Sequence, residues 1–391
     1  MKDKIKKEIE KLKSKYINFL SELVRIPSVY GSELKAQNYV KKQMLKLGLE
    51  VKEYYSRDDK ESLNIAGILK GKNSSKYKSL ILNAHCDIAP VIYNKKKEFS
   101  GRNENGLLFG RGAQDDKAGI AIILMIIEIL KNLNINLQGD LIIESVIEDE
   151  TTGNGSKVLC DNGILADGVI ICDGTWHNRI IYGHLGQIWI NIEIQGKEAP
   201  ACVEYRVVNP IYTGIEVIKK IKGYIDNFKN EKSKFEELEP SYFVNTGSFI
   251  SKGWHGATPL KTIIKMQIGF GNEINVDEIF NDVKKICLKI DDTIKVNKYL
   301  LKTSAFKTSK KNNLIKKLSA VIYDTINIKP EIVAISGHCD MRHFKTENIC
   351  LYGPGGGKNA HCSGEYYILD HLPIIAECIL NFVMEWCNET R

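Results

Sequence analysis

The sequence lacks the features of membrane, secreted and nucleic-acid-binding proteins. No apolar run reaches the roughly 18 residues of a membrane span, and the apolar run 120–130 is short and contains Glu128. The first ten residues are charged throughout and have no apolar centre like that of a signal peptide. The net charge of +7 comes from scattered lysines, without a block of like charges. We therefore expect no membrane partner and no nucleic-acid partner.

Paired cysteines are also absent. The ten cysteines show no C-x-x-C spacing, and several, such as Cys172, Cys350 and Cys378, lie in apolar runs. This pattern is typical of buried free thiols in a reducing compartment, so we expect a cytoplasmic protein. No internal repeat or low-complexity segment is visible. With 391 residues, 43% of them hydrophobic, the chain is long enough for two domains.

Apolar strands alternate with helices in the first half of the chain. Residues 80–84, 140–147 and 169–172 have the composition of buried strands, and residues 118–130 that of a buried helix. This order predicts an α/β fold with a mostly parallel sheet sandwiched by helices.

The pattern changes near Gly183. From there to residue 300 the alternation predicts a β-α-β-β-α-β order, which is typical of an α+β, ferredoxin-like layer. We therefore expect a discontinuous catalytic domain, residues 1–183 and 301–391, with an inserted lid or dimerisation domain at 184–300.

Chemically active side chains follow the predicted strands or lie in glycine-rich loops. One of these loops, 110–119, contains Gly110 and Gly112, which tolerate dihedrals that other residues avoid and can direct a carboxylate into a cleft. Any single His-x-Asp pair is a weak signal, but the whole set recurs at strand ends, where ligands collect in such sheets. Two imidazoles with several carboxylates suit zinc or another divalent transition metal. The set is His85, Asp87, Asp115, Glu150, Asp173 and His361.

These segments resemble those of a known family. The chain is similar to the zinc-dependent amidohydrolase and exopeptidase superfamily of acetylornithine deacetylase, succinyl-diaminopimelate desuccinylase, aminoacylase and carboxypeptidase G. Within that group, residues 145–155 most resemble the deacetylase-like branch that includes deformylases of an aminomethylpyrimidine. The matching segments follow the family's order along almost the whole chain: 80–87, 110–119, 145–156, 169–175, 339–344 and 353–365.

The resemblance implies two zinc ions, with cobalt or manganese as substitutes. His85 and Asp173 would hold one zinc, and Glu150 and His361 the other, with Asp115 bridging them. Asp87 would lie behind His85 and fix its tautomer. The family also implies a cis peptide bond between Asp115 and Asp116.

The implied reaction is hydrolysis of an amide bond in a small N-acyl or dipeptide-like substrate by a metal-activated water. The family's general-base glutamate aligns with Asp149, which is one methylene shorter. Its neighbour Glu148 is the alternative, although strand alternation turns it to the other face. Arg342 matches a family position that binds the substrate carboxylate; an ion pair with Asp340 is the alternative.

The inserted domain departs from the family pattern. Pro200 occupies the place of a histidine that stabilises the oxyanion, and proline donates no hydrogen bond. His184 and His255 are candidate replacements, and an Arg/Asp pair is lost at residues 265–267. These changes leave two alternatives open: the same scaffold with acyl transfer or amide formation, and a metal-loaded protein with little catalysis. The resemblance also implies a homodimer through the lid domain.

Overall fold

The chain divides into two units in the computed structural model, which describes residues 1–174, 176–230, 235, 238, 241–271, 274–357 and 359–391. The helices are α1 Lys2–Val24, α2 Leu34–Lys46, α3 Lys95–Glu98, α4 Lys117–Asn132, α5 Asn154–Asp161, α6 Pro210–Asp226, α7 Val276–Ile290, α8 Asn313–Ile326 and α9 His371–Trp386. The strands are β1 Glu50–Tyr55, β2 Leu63–Leu69, β3 Leu80–His85, β4 Arg102–Glu104, β5 Leu107–Phe109, β6 Leu141–Val146, β7 Gly168–Ile171, β8 Arg179–His184, β9 Gly186–Gln195, β10 Tyr242–Ser251, β11 Lys261–Phe270, β12 Lys295–Thr303, β13 Phe306–Lys307, β14 Glu331–Ile335, β15 Ile349–Leu351 and β16 Tyr366–Ile368.

The first unit is discontinuous in sequence and comprises Met1–Tyr182, Thr308–Val333 and Cys339–Arg391. The second comprises Gly183–Lys307 and Ala334–His338. The sequence pattern predicted that the insertion ends at residue 300 and that residues 334–338 belong to the catalytic domain. In the structure the long insertion ends at Lys307, and residues 334–338 belong to the second unit.

The first unit is built on a mixed sheet with strand order β1-β2-β6-β3-β7-β15-β8. Its centre is parallel, because β6, β3, β7 and β15 pair side by side in the same direction. Every residue of β3 and β6 is buried, as expected where helices cover both faces of a sheet. The structure confirms the predicted α/β class. It also adds a small sheet of three-residue strands, β16-β5-β4.

Helix α4 follows the glycine-rich turn and forms the centre of the helical packing. It begins at Lys117 because the Asp116 carboxylate accepts from Gly119 N at 3.2 Å, which caps the first turn. The helix packs on β3 and against α1 and α9. Lys117 is itself fully buried, and its Nζ donates to the Leu23 and Ile26 carbonyls at 3.0 and 2.7 Å. Burial lowers the pKa of this lysine to about 8.

The second unit contains a four-stranded antiparallel sheet of order β10-β11-β9-β12. Helices α6 and α7 pack on it around a core of isoleucine and valine side chains. Along the chain the elements run β9, α6, β10, β11, α7, β12, so the predicted ferredoxin-like order is confirmed. Within the described residues, no helix combines the length and the apolar character needed to cross a bilayer.

The parallel centre of the first unit brings three strand ends to one edge of the sheet. His85 is the last residue of β3, Glu150 follows β6 within a few residues, and Asp173 follows β7. Since neighbouring parallel strands end at the same edge, their carboxyl ends gather polar side chains from distant parts of the sequence. The parallel strands thus bring three of the predicted ligands to the same edge of the sheet.

The buried Trp386 allows a test of the core of the first unit. Its ring is fully buried and stacks on Phe382, and its Nε1 donates to the Ser79 carbonyl at 3.0 Å. We expect Trp386→Ala to lower the free energy of unfolding by about 3–5 kcal/mol, measured by urea denaturation. Tyr323→Ala, at a position in the same unit that is 51% exposed, should change it by less than about 0.5 kcal/mol. Equal losses in the two variants would contradict this core.

Candidate metal centre

Five predicted ligands lie together at the carboxyl edge of the main sheet. Among the described residues, potential metal ligands form two groups of three, in each of which the ligand atoms lie within 4.8 Å of one another. The first group is His85, Asp115 and Asp173, and the second is Asp115, Glu150 and His361. Asp115 belongs to both groups.

The Asp115 carboxylate lies between two imidazoles. Its Oδ1 is 3.0 Å from His85 Nε2, and its Oδ2 is 3.0 Å from His361 Nε2. The turn before it depends on Gly110 and Gly112, whose φ angles of 149° and 80° are positive, as the sequence analysis predicted. The expected cis peptide bond between Asp115 and Asp116 is present. One carboxylate thus offers one oxygen to each half of the site.

A buried network around Asp87 fixes the first group. His85 Nδ1 contacts the Asp87 carbonyl at 3.1 Å and its Oδ1 at 3.3 Å. This contact assigns the ring proton to Nδ1 and leaves Nε2 facing the centre. The two oxygens of Asp87 also accept from the backbone N–H groups of Asp149 and Glu150, at 3.3 and 3.1 Å. Asp87 therefore connects the end of β3 to the segment after β6.

The second group is the more open half of the site. Glu150 Oε2 is 3.0 Å from His361 Nε2, while its Oε1 accepts from Ala89 N at 3.1 Å. The His361 side chain is 53% exposed, compared with 3% for His85, 8% for Glu150 and 17% for Asp115. His361 also has a left-handed φ of 61° in a loop without regular secondary structure.

The crowding of carboxylates favours a bound cation. Burial raises the pKa of Asp173 to about 7, and the charge of Asp115 adds to this rise. Burial also raises the pKa of Glu150, again with a contribution from Asp115. The Glu150 charge in turn raises the pKa of His361 to about 12, although desolvation opposes this. Several negative groups in one buried place need compensating positive charge.

The donor set suits zinc or another divalent transition metal. Within the described part of the chain, the buried Asp173 Oδ1 has no hydrogen-bond partner, so this oxygen is available to a ligand. Both histidines turn Nε2 toward Asp115, which is the arrangement that a metal bound by imidazole and carboxylate requires.

Asp149 lies beside the two groups, with its Oδ2 3.9 Å from His85 Nε2. Burial and the nearby Asp340 raise its pKa well above the usual range, and the two carboxyl groups are hydrogen-bonded to each other. Glu148 is directed elsewhere, because its buried carboxylate forms an ion pair with Arg57 and accepts from Ser56 Oγ at 2.7 Å.

Arg342 lies close to the Asp340 carboxyl group. Its Nη1 donates to the Cys339 carbonyl at 2.5 Å, and its Nη2 is 3.6 Å from Asp340 Oδ1. Its side chain is 10% exposed. It packs closely on Gly153, where a Cβ atom would come within 2.0 Å of Nη2. These contacts match the ion-pair alternative, and substrate binding by Arg342 stays a prediction.

The structure describes the positions that the sequence singled out in connection with the lost oxyanion donor. Pro200 forms an isolated bridge with Ala257. His184 is fully buried, and its Nδ1 is 2.8 Å from the Leu185 carbonyl, whereas His255 is exposed beside Trp254. The family's Arg/Asp pair is missing at residues 265–267. There, Gln267 Nε2 donates to Gln187 Oε1 in β9 at 2.7 Å.

Sequence reasoning missed two buried glutamates near the ligand segments. Glu365 pairs with Arg111 at 3.2 Å and accepts from the backbone N–H of Asp115 at 3.3 Å. Glu98 accepts from Ser363 Oγ and Gly364 N, close to His361. Glu365 follows His361 by four residues, which is a usable signal, whereas Glu98 ends a run of lysines that is typical of an exposed surface. Thr175 and Lys358, in two of the family-like segments, lie outside the described residues.

Comparison with known proteins places this chain in a family. A model of peptidase family M20/M25/M40 matches residues 81–385. N-formyl-4-amino-5-aminomethyl-2-methylpyrimidine deformylase from Bacillus subtilis is 25% identical, over 99% of this chain and 98% of that protein. A probable succinyl-diaminopimelate desuccinylase from Staphylococcus aureus is also 25% identical, over 94% of this chain and 98% of that protein.

A solved structure shares the fold. An M20 family metallo-carboxypeptidase from Sulfolobus solfataricus aligns with a TM-score of 0.77 at 19% identity, covering 95% of this chain and 99% of the other. The family match contains all five predicted ligands, from His85 to His361. The predicted resemblance is confirmed: the chain belongs to peptidase family M20/M25/M40 and is a hydrolytic enzyme of the amidohydrolase type.

Proposed function

We propose that the chain is a di-zinc amidase that hydrolyses a small N-acyl compound, with cobalt or manganese as substitutes for zinc. The observation that carries this proposal is the position of Asp115, whose two oxygens each lie 3.0 Å from a different imidazole. His85 and Asp173 would complete one metal site, and Glu150 and His361 the other. When bound, two such metals lower the pKa of a shared water and polarise the scissile carbonyl.

Asp149 is our candidate for moving the proton. Burial and the charge of Asp340 raise its pKa, which makes the carboxylate a stronger proton acceptor. Its Oδ2 lies 3.9 Å from His85 Nε2, beside the first group of ligands. Asp149 would accept the proton of the attacking water and return it to the leaving amine.

Asp87 is our candidate for orienting the site. It holds the His85 ring in one tautomer and accepts from the N–H groups of Asp149 and Glu150. A rigid carboxylate behind a histidine ligand raises the basicity of the ring and limits its rotation. Asp87 therefore supports Asp149, the candidate for proton transfer, and the two ligands His85 and Glu150.

The relatives suggest the substrate class. Their names describe removal of a formyl group and a succinyl group, so a small acyl group on an amine is our first choice. Arg342 is our candidate for binding a substrate carboxylate. The shorter base at Asp149 and the proline at position 200 keep acyl transfer or amide formation on the same scaffold as the alternative.

We also propose that two copies associate through the second unit. Edge strand β10 exposes Phe249 (38%) on the side of the sheet that helix α6 covers, and α6 exposes Tyr212 and Ile215 (62% and 43%). The two elements pack together at Gly214, where a Cβ atom would lie 2.9 Å from the Phe249 ring. An apolar face beside an unpaired strand edge favours association with an identical edge.

Metal loading and turnover can be tested together. We expect about two zinc ions per purified chain, and release of free amine from at least one of a panel of N-formyl, N-acetyl and N-succinyl amines. Asp149→Asn should lower kcat about 10²–10⁴-fold without loss of zinc, because it removes the proton acceptor and keeps the shape of the side chain. Asp161→Asn, at an exposed position on α5, should leave both quantities unchanged.

Two results would contradict this function. No zinc after reconstitution would exclude the di-metal centre. Bound zinc without cleavage of any amide, together with hydrolysis gained by Asp149→Glu, would show that the native chain is not a hydrolase of these substrates and would favour the acyl-transfer alternative.

The dimer is tested by mass in solution. We expect light scattering to give twice the chain mass of 44.2 kDa, and Ile215→Asp to give the monomer mass, because a charge on the apolar face opposes its burial. Lys284→Asp, on α7 away from this face, serves as the charge-change control. A monomeric native chain would contradict the proposal.

A further inference from the structure

One segment of the chain, residues 89–98, contacts Glu150 and the loop that carries His361. At its start, Ala89 N donates to Glu150 Oε1 at 3.1 Å. At its end, Glu98 Oε1 accepts from Ser363 Oγ at 2.7 Å and from Gly364 N at 3.0 Å. The segment from Ala89 to Glu98 therefore contacts the strand-end segment that carries Glu150 and the loop that carries His361.

His361 depends on such contacts more than the other ligands do. His85 ends the buried strand β3, and Asp115 lies between the glycine-rich turn and Asp116, which caps α4. His361, in contrast, lies in an irregular, glycine-rich loop. Its left-handed φ of 61° is unfavourable for a residue with a side chain, so the surrounding contacts must hold it. With a side chain 53% exposed, it receives little support from packing.

Glu98 provides a rigid acceptor for this loop. Its side chain is 2% exposed, and its own carbonyl accepts from Arg111 N at 2.8 Å. This hydrogen bond joins the backbone at Glu98 to the turn that precedes Asp115. A buried carboxylate is costly to desolvate unless donors satisfy it. Both donors to Glu98, from the two residues directly before Glu365, reach its Oε1, whereas its Oε2 has no hydrogen-bond partner among the described residues.

We propose that Glu98 is a positioning residue for His361, and through it for the metal held by Asp115, Glu150 and His361. The metal held by His85, Asp115 and Asp173 does not depend on it. The inference rests on the di-metal centre proposed above. Residues that hold a metal ligand from behind typically change metal affinity by about 10–100-fold when they are removed.

The test is metal affinity, measured by competition with a zinc chelator and by metal analysis. The wild-type chain should bind two zinc ions tightly. Glu98→Ala should keep one tight zinc and bind the second about 10–100-fold more weakly, because the His361 loop loses two hydrogen bonds while the first group keeps all its contacts. Thermal unfolding is recorded on each variant, to show that the chain is folded.

Two milder variants separate positioning from packing. Glu98→Gln keeps an acceptor oxygen at the same reach, so the second zinc should bind almost as in the wild type. Ser363→Ala removes one of the two donors and should weaken the second zinc by an intermediate amount; it also serves as the test if Glu98→Ala fails to fold. The matched control is Glu104→Ala, a nearby glutamate on β4 whose side chain is 54% exposed, which should change neither zinc.

Three outcomes would overturn the proposal. If Glu98→Ala binds both zinc ions as the wild type does, Glu98 has no positioning role. If the variant binds both zinc ions more weakly by the same factor, the role of Glu98 is a general structural one. A wild-type chain with fewer than two zinc ions would first remove the di-metal centre itself, and this outcome is recognised before any variant is made.

Discussion

The rest of the candidate site depends on the position of the Asp115 carboxylate. Its two oxygens face two different histidines at the same distance, 3.0 Å. The backbone reaches that position through Gly112, whose φ is 80° and where a Cβ atom would collide with Ile88. On the far side, Asp116 caps α4 and accepts from His85 N at 3.2 Å. The start of the helix, the end of the strand and the shared ligand are therefore fixed together.

Hydrogen bonds within the protein connect the remaining ligand segments. Asp87 joins the end of β3 to the residues after β6, and Glu365 joins the His361 loop to the backbone of Asp115. Such support holds the ligands near one geometry. The same arrangement concentrates negative charge, which is why the pKa values of Glu150 and Asp173 are raised. A divalent cation would offset the repulsion among these carboxylates. The arrangement that preorganises the ligands therefore also favours metal binding.

Much of this arrangement could be predicted from the sequence, because its signals are local. Apolar runs predicted the buried parallel strands, and alternation predicted the order of the second unit. The ligand types and their places at strand ends indicated the metal chemistry. Contacts between residues far apart in the sequence could not be predicted. Glu98 ends a run of lysines, and its partner Ser363 is 265 residues away. The contact between Asp149 and Asp340 is also non-local. The sheet β16-β5-β4 has strands of three residues, too short for any periodic signal.

The most direct test of the central claim, that Asp115 bridges two metals, is anomalous diffraction at the zinc edge from crystals of the zinc-loaded chain. We expect two peaks about 3.5–4 Å apart, with one Asp115 oxygen directed to each. The peak nearer His85 should also lie within bonding distance of Asp173, and the other within bonding distance of Glu150 and His361. A single peak, or two peaks of which Asp115 contacts only one or neither, would contradict the account.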